Sequence, residues 1–155
     1  MDVSVFIEGE RFNYRVAGFI TCGDYVLLQK TEGCDFWNML GGRVHIGESS
    51  KEAFVREMKE ELDLKEKKKS LKFIDLAENF FVWEDYNVQE LLMIYKLDLP
   101  KEYFERLEGF AVIDGHGEKA RWFKRDEVKN LVCLPELIYG LAEDDTQFKH
   151  TIVHE

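Results

Sequence analysis

The stretch that decides the fold is residues 41–64, GGRVHIGESSKEAFVREMKEELDL. Two adjacent glycines predict a turn, and Ser49 followed three residues later by Glu52 matches the capping box with which many helices begin. We expect a helix over residues 50–64, because apolar residues recur there at helical spacing and form one stripe. The stripe consists of Phe54, Val55, Met58 and Leu62. The segment therefore predicts a glycine-rich turn that leads into a capped amphipathic helix.

Three acidic residues of this helix, Glu57, Glu60 and Glu61, are spaced to share one face, where the small side chain of Ala53 leaves room for a ligand. Like charges near the negative end of a helix are unfavourable unless a cation neutralises them. Carboxylate oxygens suit a hard divalent ion, and Mg²⁺ takes its remaining ligands from waters and substrate phosphates. The pattern predicts a Mg²⁺ site, with Mn²⁺ as an alternative ion.

An ion at this position neutralises a diphosphate and lowers the pKa of a bound water, while a nearby carboxylate takes the proton. Arg56, next to Glu57 and four residues before Glu60, can orient a carboxylate through its planar guanidinium group. The other interpretation is a solvated Lys- and Glu-rich surface helix, which is the ordinary role of such residues taken alone.

The wider spacing favours the catalytic interpretation. The pattern requires a particular residue type at each of six positions, which are Gly42, Glu48, Arg56, Glu57, Glu60 and Glu61. At roughly one in ten for each identity, a chance match has a probability below about one in a thousand. This pattern resembles the Nudix box. It departs from that box at Asp63, where a helix-end glycine is usual, at Leu40, where a proline often stands, and at His45, where an acid is frequent.

The resemblance covers most of the chain, since residues 14–18 and 26–30 look like the first strands of the Nudix family, and residues 118–123 and 126–128 like its closing strand and helix. It implies an α+β fold, an α/β/α sandwich with a central mixed sheet, in one domain over residues 1–155. It also implies a hydrolase of phosphoanhydride bonds, acting on a nucleoside diphosphate linked to another group.

Carried over by position, the resemblance implies roles for individual residues. Glu57 and Glu61 are the principal metal ligands, Glu60 is a further ligand, and the Gly41 carbonyl is another candidate. Either Glu57 or Glu60 is the general base, and Arg56 holds a catalytic carboxylate. Glu48 either orients the site or binds the metal directly.

Bulk composition narrows the functions. A chain of 155 residues with 45% hydrophobic content has material for one core, and 31 acidic against 21 basic residues give a net charge of −10. That charge disfavours binding to nucleic acid polymers. The amino terminus lacks the pattern of a signal peptide, and no apolar run approaches a membrane span, so we expect a cytoplasmic protein. Its three cysteines are expected to be reduced and buried. A homodimer is compatible with the sequence.

Further strands and helices are predicted from the pattern of apolar and polar residues and from the turn residues between them. Strands are predicted over residues 11–21, 25–30, 71–83, 88–99 and 119–123. Helices are predicted over residues 125–131 and 136–142, with a weaker helical pattern over 101–107.

Four residues are weaker candidates for substrate contacts. Phe81 and Trp83 can stack on a base, although aromatic strand residues mostly serve packing. His45 stands in the glycine turn near the expected phosphates. Glu118 closes a loop over residues 114–118, where a plain turn is the more ordinary interpretation. His150 and His154 are metal-compatible only if helical, and we expect an exposed chain end instead.

Taken together, these features predict a Mg²⁺-dependent pyrophosphohydrolase in which water attacks phosphorus, since no Ser, Cys or His nucleophile stands beside a base. The substrate is a small nucleotide, with a slight preference for a nucleoside triphosphate because the chain is close to a minimal domain. The alternative is a catalytically silent nucleotide-binding or regulatory module on the same scaffold. The intact acidic set favours the enzyme.

Overall fold

The architecture is a mixed β-sheet with helices on both faces, seen in a computed structural model that describes residues 1–64, 71–107 and 118–155. The strands are β1 (Ser4–Ile7), β2 (Glu10–Cys22), β3 (Tyr25–Thr31), β4 (Leu40–Arg43), β5 (Lys72–Trp83), β6 (Tyr86–Asp98), β7 (Glu118–Lys124) and β8 (Lys149–His154). The helices are α1 (Ser50–Leu62), α2 (Glu102–Leu107), a 3₁₀ helix (Arg125–Asn130) and α3 (Leu137–Glu143).

The sheet has the order β7-β3-β2-β6-β5-β8, and β1 and β4 both pair with β2. The pairs β2–β6 and β5–β8 are parallel, and the other pairs are antiparallel. Parallel neighbours need a long connection, and the chain between β2 and β6 includes α1. The expected α/β/α sandwich with a mixed sheet is confirmed.

Two apolar cores lie on opposite faces of the sheet. On one face, α1 packs through Ala53, Phe54, Met58 and Leu62, and this face is called the α1 face below. A Cβ atom on Gly18 would lie 2.6 Å from the Phe54 ring, so a glycine in β2 is what allows the helix to approach this closely. On the other face, called the α3 face, the 3₁₀ helix and α3 cover the sheet.

Most of the predicted elements are present with shifted ends, and four elements, β1, β4, β8 and the 3₁₀ helix, differ from the prediction. Gly41 and Gly42, predicted as part of a turn, belong to β4, because the backbone of residues 40–43 pairs with β2. β1 and β8 were not predicted, since each has one strand neighbour and is defined by pairing with a distant strand. The segment over 125–131 is a 3₁₀ helix and ends at Asn130. The predicted loop over 114–117 lies outside the described residues.

The chain end is a strand and not a loose tail. His150 and His154 lie on β8, where His150 contacts Glu78 and His154 stacks on Phe80, so they do not form a helical metal pair. Cys22 and Cys133 are buried as expected, whereas Cys34 is only half-buried. In the described ranges, no helix has the length and apolar character needed to cross a membrane.

Candidate active site

Both ends of α1 are fixed by local hydrogen bonds. At its start, the capping box is present: the Ser49 hydroxyl accepts the Glu52 amide, and the Glu52 carboxylate accepts the Ser49 amide at 2.8 Å. At its end, Asp63 adopts a left-handed conformation with φ 52° and donates its amide to the Lys59 carbonyl. Asp63 therefore supplies the backbone geometry that a glycine usually provides at this place. These hydrogen bonds fix where α1 begins and ends, and they therefore fix the positions of the acidic residues on it.

The carboxylate of Glu57 lies against the backbone of β4. A Cβ atom on Gly42 would be 2.3 Å from the Glu57 carboxyl carbon, and one on Gly41 would be 2.0 Å from the Val16 carbonyl oxygen. The two glycines thus serve different needs, one leaving space for a carboxylate and the other for the neighbouring strand. Glu57 is only 9% exposed, and this burial raises its pKa while Arg56 acts against the shift.

Arg56 joins three carboxylates to β4. Its Nη1 donates to Glu57 Oε1 at 2.7 Å and to Glu60 Oε2 at 3.3 Å. Its Nε and Nη2 donate to the two oxygens of Glu48 at 3.2 and 2.6 Å, and Nη2 also donates to the Arg43 carbonyl at 3.0 Å. One planar guanidinium group therefore sets the positions of the helix, the strand and the connecting loop.

Glu48 is held mainly as an anchor. Besides its two hydrogen bonds with Arg56, its Oε1 accepts the His45 amide at 2.8 Å. The hydrogen bond from Arg56 is the main reason why the pKa of Glu48 lies below its ordinary value. Of the two roles expected for Glu48, these contacts favour orientation of the site.

The predicted convergence of three helix acids is partial. Glu57 and Glu61 are each 9% exposed, whereas the Glu60 side chain is 41% exposed and held by Arg56. Within the described ranges, no three His, Cys, Asp or Glu side chains are grouped so that they would hold a metal ion as they stand. Ala53 does not leave the expected space, because it is fully buried in the core.

The donor set nevertheless fits a hard divalent ion. Glu57 and Glu61 place two carboxylates in a largely buried position, where a negative charge is costly without a cation. Among the contacts of the described residues, Arg56 donates to Oε1 of Glu57, which leaves Oε2 as the oxygen that can face an ion. Carboxylate oxygens are the ligands that Mg²⁺ and Mn²⁺ prefer.

The weaker candidates lie in different places. His45 is near the site, and its Nε2 lies 3.1 Å from Asp2 Oδ1, a partner that is 43 positions away and so invisible to local patterns. Phe81 is half-buried on the α3 face of β5, and Trp83 is 50% exposed at the end of that strand. Glu118 is the first residue of β7, opposite Thr31, and not part of a plain turn.

Sequence reasoning missed a polar group on the α3 face, formed by Arg15, Asn79 and Glu90. Asn79 and Glu90 are each 4% exposed. A usable indication was present, because Glu90 stands at an inward position of a strand in which Val88, Leu92 and Ile94 are buried. A charged residue in such a row is rarely there for packing alone.

The chain is similar to a known protein family and to solved structures. A model of the NUDIX domain matches residues 11–142. The solved structure of a MutT protein from Bacillus halodurans is similar, with a TM-score of 0.70 and 21% identity over 92% of this chain and 89% of that one. The Escherichia coli dihydroneopterin triphosphate pyrophosphohydrolase is similar, with a TM-score of 0.61 and 20% identity over 84% and 92%. At these identities the likeness concerns the fold. A search of curated protein sequences gave no significant match.

Proposed function

Because this chain belongs to the Nudix family and is a hydrolase of phosphoanhydride bonds, we propose that it is a Mg²⁺-dependent pyrophosphohydrolase of a nucleoside triphosphate or another nucleoside diphosphate derivative. The observation that carries the proposal is the Arg56 network, which holds Glu48, Glu57 and Glu60 together beside the glycine backbone of β4. A silent binding module has no need for carboxylates positioned this closely.

Glu57 and Glu61 are the proposed metal ligands, with Glu60 and the Gly41 carbonyl as further ligands. When bound, the ion neutralises diphosphate charge and makes a water more acidic. Arg56 keeps Glu57 in place through Oε1. Glu57 and the more exposed Glu60 are the two candidates for accepting a proton from the attacking water, and burial raises the pKa of Glu57.

A small, phosphate-rich substrate agrees with the charge of the chain. At a net charge of −10, the phosphates are best met through a cation and a few local arginines. A nucleoside triphosphate is the substrate class we favour, and one structural relative is named as a pyrophosphohydrolase of a triphosphate.

The test is a panel of nucleoside triphosphates, nucleotide sugars and dinucleoside polyphosphates, each with Mg²⁺ or Mn²⁺, with products identified by chromatography. We expect release of a nucleoside monophosphate together with pyrophosphate, or with the other phosphorylated group. The Glu57→Gln variant and a metal-free reaction are the controls. Absence of metal-dependent hydrolysis across the panel would overturn the proposal and favour the silent module.

A further inference from the structure

The chain before β1 holds the loop that connects β4 to α1. Val3 donates its amide to the Val44 carbonyl at 2.8 Å, and Ile46 donates its amide to the Met1 carbonyl at 2.9 Å. Tyr14 on β2 joins both segments, because its amide donates to the Val3 carbonyl and its carbonyl accepts the Val44 amide, each at 3.0 Å. The chain before β1 therefore continues the sheet beside this loop.

Asp2 contacts the loop with its side chain as well. Its Oδ1 lies 3.1 Å from His45 Nε2, and its Oδ2 accepts a hydrogen bond from Arg43 Nη1 at 3.4 Å. Asp2 and His45 are also partners in an antiparallel bridge. The two contacted side chains flank Val44, so one carboxylate holds the loop on both sides of a residue whose backbone is already paired.

Both side chains that the Asp2 carboxylate contacts belong to residues whose backbone binds the network around Arg56. The Arg43 carbonyl accepts a hydrogen bond from Arg56 Nη2 at 3.0 Å. The His45 amide donates to Glu48 Oε1 at 2.8 Å, and the same oxygen accepts from Arg56 at 2.6 Å. Two short chains of contacts therefore run from the Asp2 carboxylate to the guanidinium group that holds the proposed catalytic carboxylate.

Stability alone does not account for the contacts of Asp2. The exposed fractions of the Asp2, Arg43 and His45 side chains are 46%, 35% and 37%, and ion pairs this accessible contribute little to the free energy of folding. Backbone hydrogen bonds already set the path of the loop. What the carboxylate adds is a restraint on the direction in which two peptide groups of the loop face the Arg56 network.

We propose that Asp2 is a positioning residue for the hydrolysis and acts on Glu57 through Arg56. This inference rests on the proposed function. The Asp2 carboxylate keeps the Arg43 carbonyl and the His45 amide in the orientation in which they bind the network. Small displacements of a catalytic group lower the rate steeply, whereas contacts with the substrate are left in place. Loss of the carboxylate should therefore lower kcat and leave KM nearly unchanged.

The experiment measures kcat and KM of Asp2→Ala with Mg²⁺ and a triphosphate that the wild type hydrolyses. We expect kcat to fall about 10-fold, KM to stay within about twofold, and the midpoint of urea unfolding to stay close to that of the wild type. Asp2→Glu, which keeps the carboxylate, should regain most of the lost kcat. Wild-type kcat in Asp2→Ala would overturn the inference, as would a change confined to KM.

The matched control is Glu10→Gln. Glu10 is an exposed acid that begins the neighbouring strand, and its carboxylate accepts two hydrogen bonds from Asn87, at 2.7 and 3.1 Å, on the far side of β2 from the loop. This variant also removes a charge that makes two surface contacts, so it should keep wild-type kcat. An equal loss of kcat in Glu10→Gln and Asp2→Ala would mean a general effect of surface charge and would overturn the inference.

A double-mutant cycle tests the route through Arg56. Arg56→Lys keeps the positive charge but loses the planar fork that joins the loop to the helix. If Asp2 acts through this fork, Asp2→Ala should lower kcat by less than about twofold in the Arg56→Lys background. The same 10-fold loss in both backgrounds would overturn the inference. Metal-dependent turnover that is insensitive to Asp2→Ala defeats this inference alone, whereas no turnover by the wild type defeats the proposed function.

Discussion

The Glu57 carboxylate packs so closely on Gly42 that a methyl group on Gly42 would lie 2.3 Å from the carboxyl carbon. The backbone of Gly42 on β4 therefore limits where the Glu57 side chain of α1 can lie. Arg56 holds the carboxylate there by donating to Glu57 Oε1 at 2.7 Å. Gly42 does not adopt a left-handed backbone conformation. A glycine is needed at this position because the Glu57 carboxylate occupies the space that a side chain would fill.

The first prediction concerns Gly42→Ala. The added Cβ must displace the carboxylate of Glu57, and a shift of about 1 Å at a catalytic group is expected to lower kcat by about 10²-fold. The matched control is Gly140→Ala on α3, where a Cβ meets no atom within 4 Å. This control should keep full activity and gain about 0.5 to 1 kcal/mol of stability, since alanine favours helices. Wild-type kcat in Gly42→Ala would contradict the placement of Glu57.

The second prediction concerns Glu57→Gln, which keeps the shape of the side chain and removes its charge. We expect kcat to fall on the order of 10²- to 10⁴-fold with the fold preserved, as judged by circular dichroism. Glu52→Gln is the control, because Glu52 acts in the capping box and should cost about 1 kcal/mol of stability or less. Near wild-type turnover in Glu57→Gln would show that the catalytic role proposed for Glu57 is wrong.

The helix and its acids could be predicted because their determinants are local. The capping box of Ser49 and Glu52 and the apolar stripe lie within a few turns of one helix. The role of Asp63 at the helix end likewise depends on its own position in the sequence. The assignment of Gly41 and Gly42 to a turn was wrong because β4 exists only through pairing with β2.

Other features depend on contacts between distant segments. The Asp2–His45 contact joins residues 43 positions apart, and the Asn79–Glu90 pair requires the register of β5 against β6. The alternation along β6 marks Glu90 as an inward-facing residue, but composition and spacing do not identify the partner in either contact. The sequence therefore predicts the helix that carries the acidic residues far better than it predicts the contacts between distant segments.

The third prediction is that activity requires a divalent cation. Glu57 and Glu61 are both 9% exposed, and an ion relieves the cost of their charges. Stripping with EDTA should abolish hydrolysis, and Mg²⁺ or Mn²⁺ should restore it and raise the melting temperature. Added NaCl serves as the control for ionic strength. Full turnover in excess EDTA would refute the prediction.

The fourth prediction concerns acid stability through Asp145, which lies 2.7 Å from Arg125 and 3.1 Å from Lys96. Burial acts to raise the pKa of Asp145, but the hydrogen bonds and charges of these two cations outweigh it and lower the pKa. The folded pKa is then below the unfolded value of about 3.9. This contribution to stability is complete above the unfolded pKa and is lost as the pH falls through the folded pKa.

Asp145→Asn should therefore lose about 1 to 3 kcal/mol at pH 7, because the partly buried Arg125 and Lys96 each lose their nearest carboxylate. Its stability should also change less than that of the wild type between about pH 5 and pH 3. Urea unfolding at several pH values measures both effects. Asp144→Asn is the control for the loss at pH 7, since Asp144 is exposed and, among the contacts of the described residues, its side chain accepts hydrogen bonds from Thr146 alone. Parallel pH curves for wild type and Asp145→Asn would contradict the prediction.

The last prediction is that water attacks phosphorus without a covalent enzyme intermediate. His45 is the nearest competing nucleophile, and its contact with Asp2 gives it an orienting carboxylate that local sequence patterns do not show. Its other ring nitrogen, Nδ1, is 3.9 Å from Glu48 Oε1, so the ring lies between two acids. Single-turnover hydrolysis in ¹⁸O-water should put one label into one phosphate product. Recovery of a phosphorylated or nucleotidylated protein, or complete loss of activity in His45→Ala with metal binding intact, would replace direct water attack by a covalent route through His45.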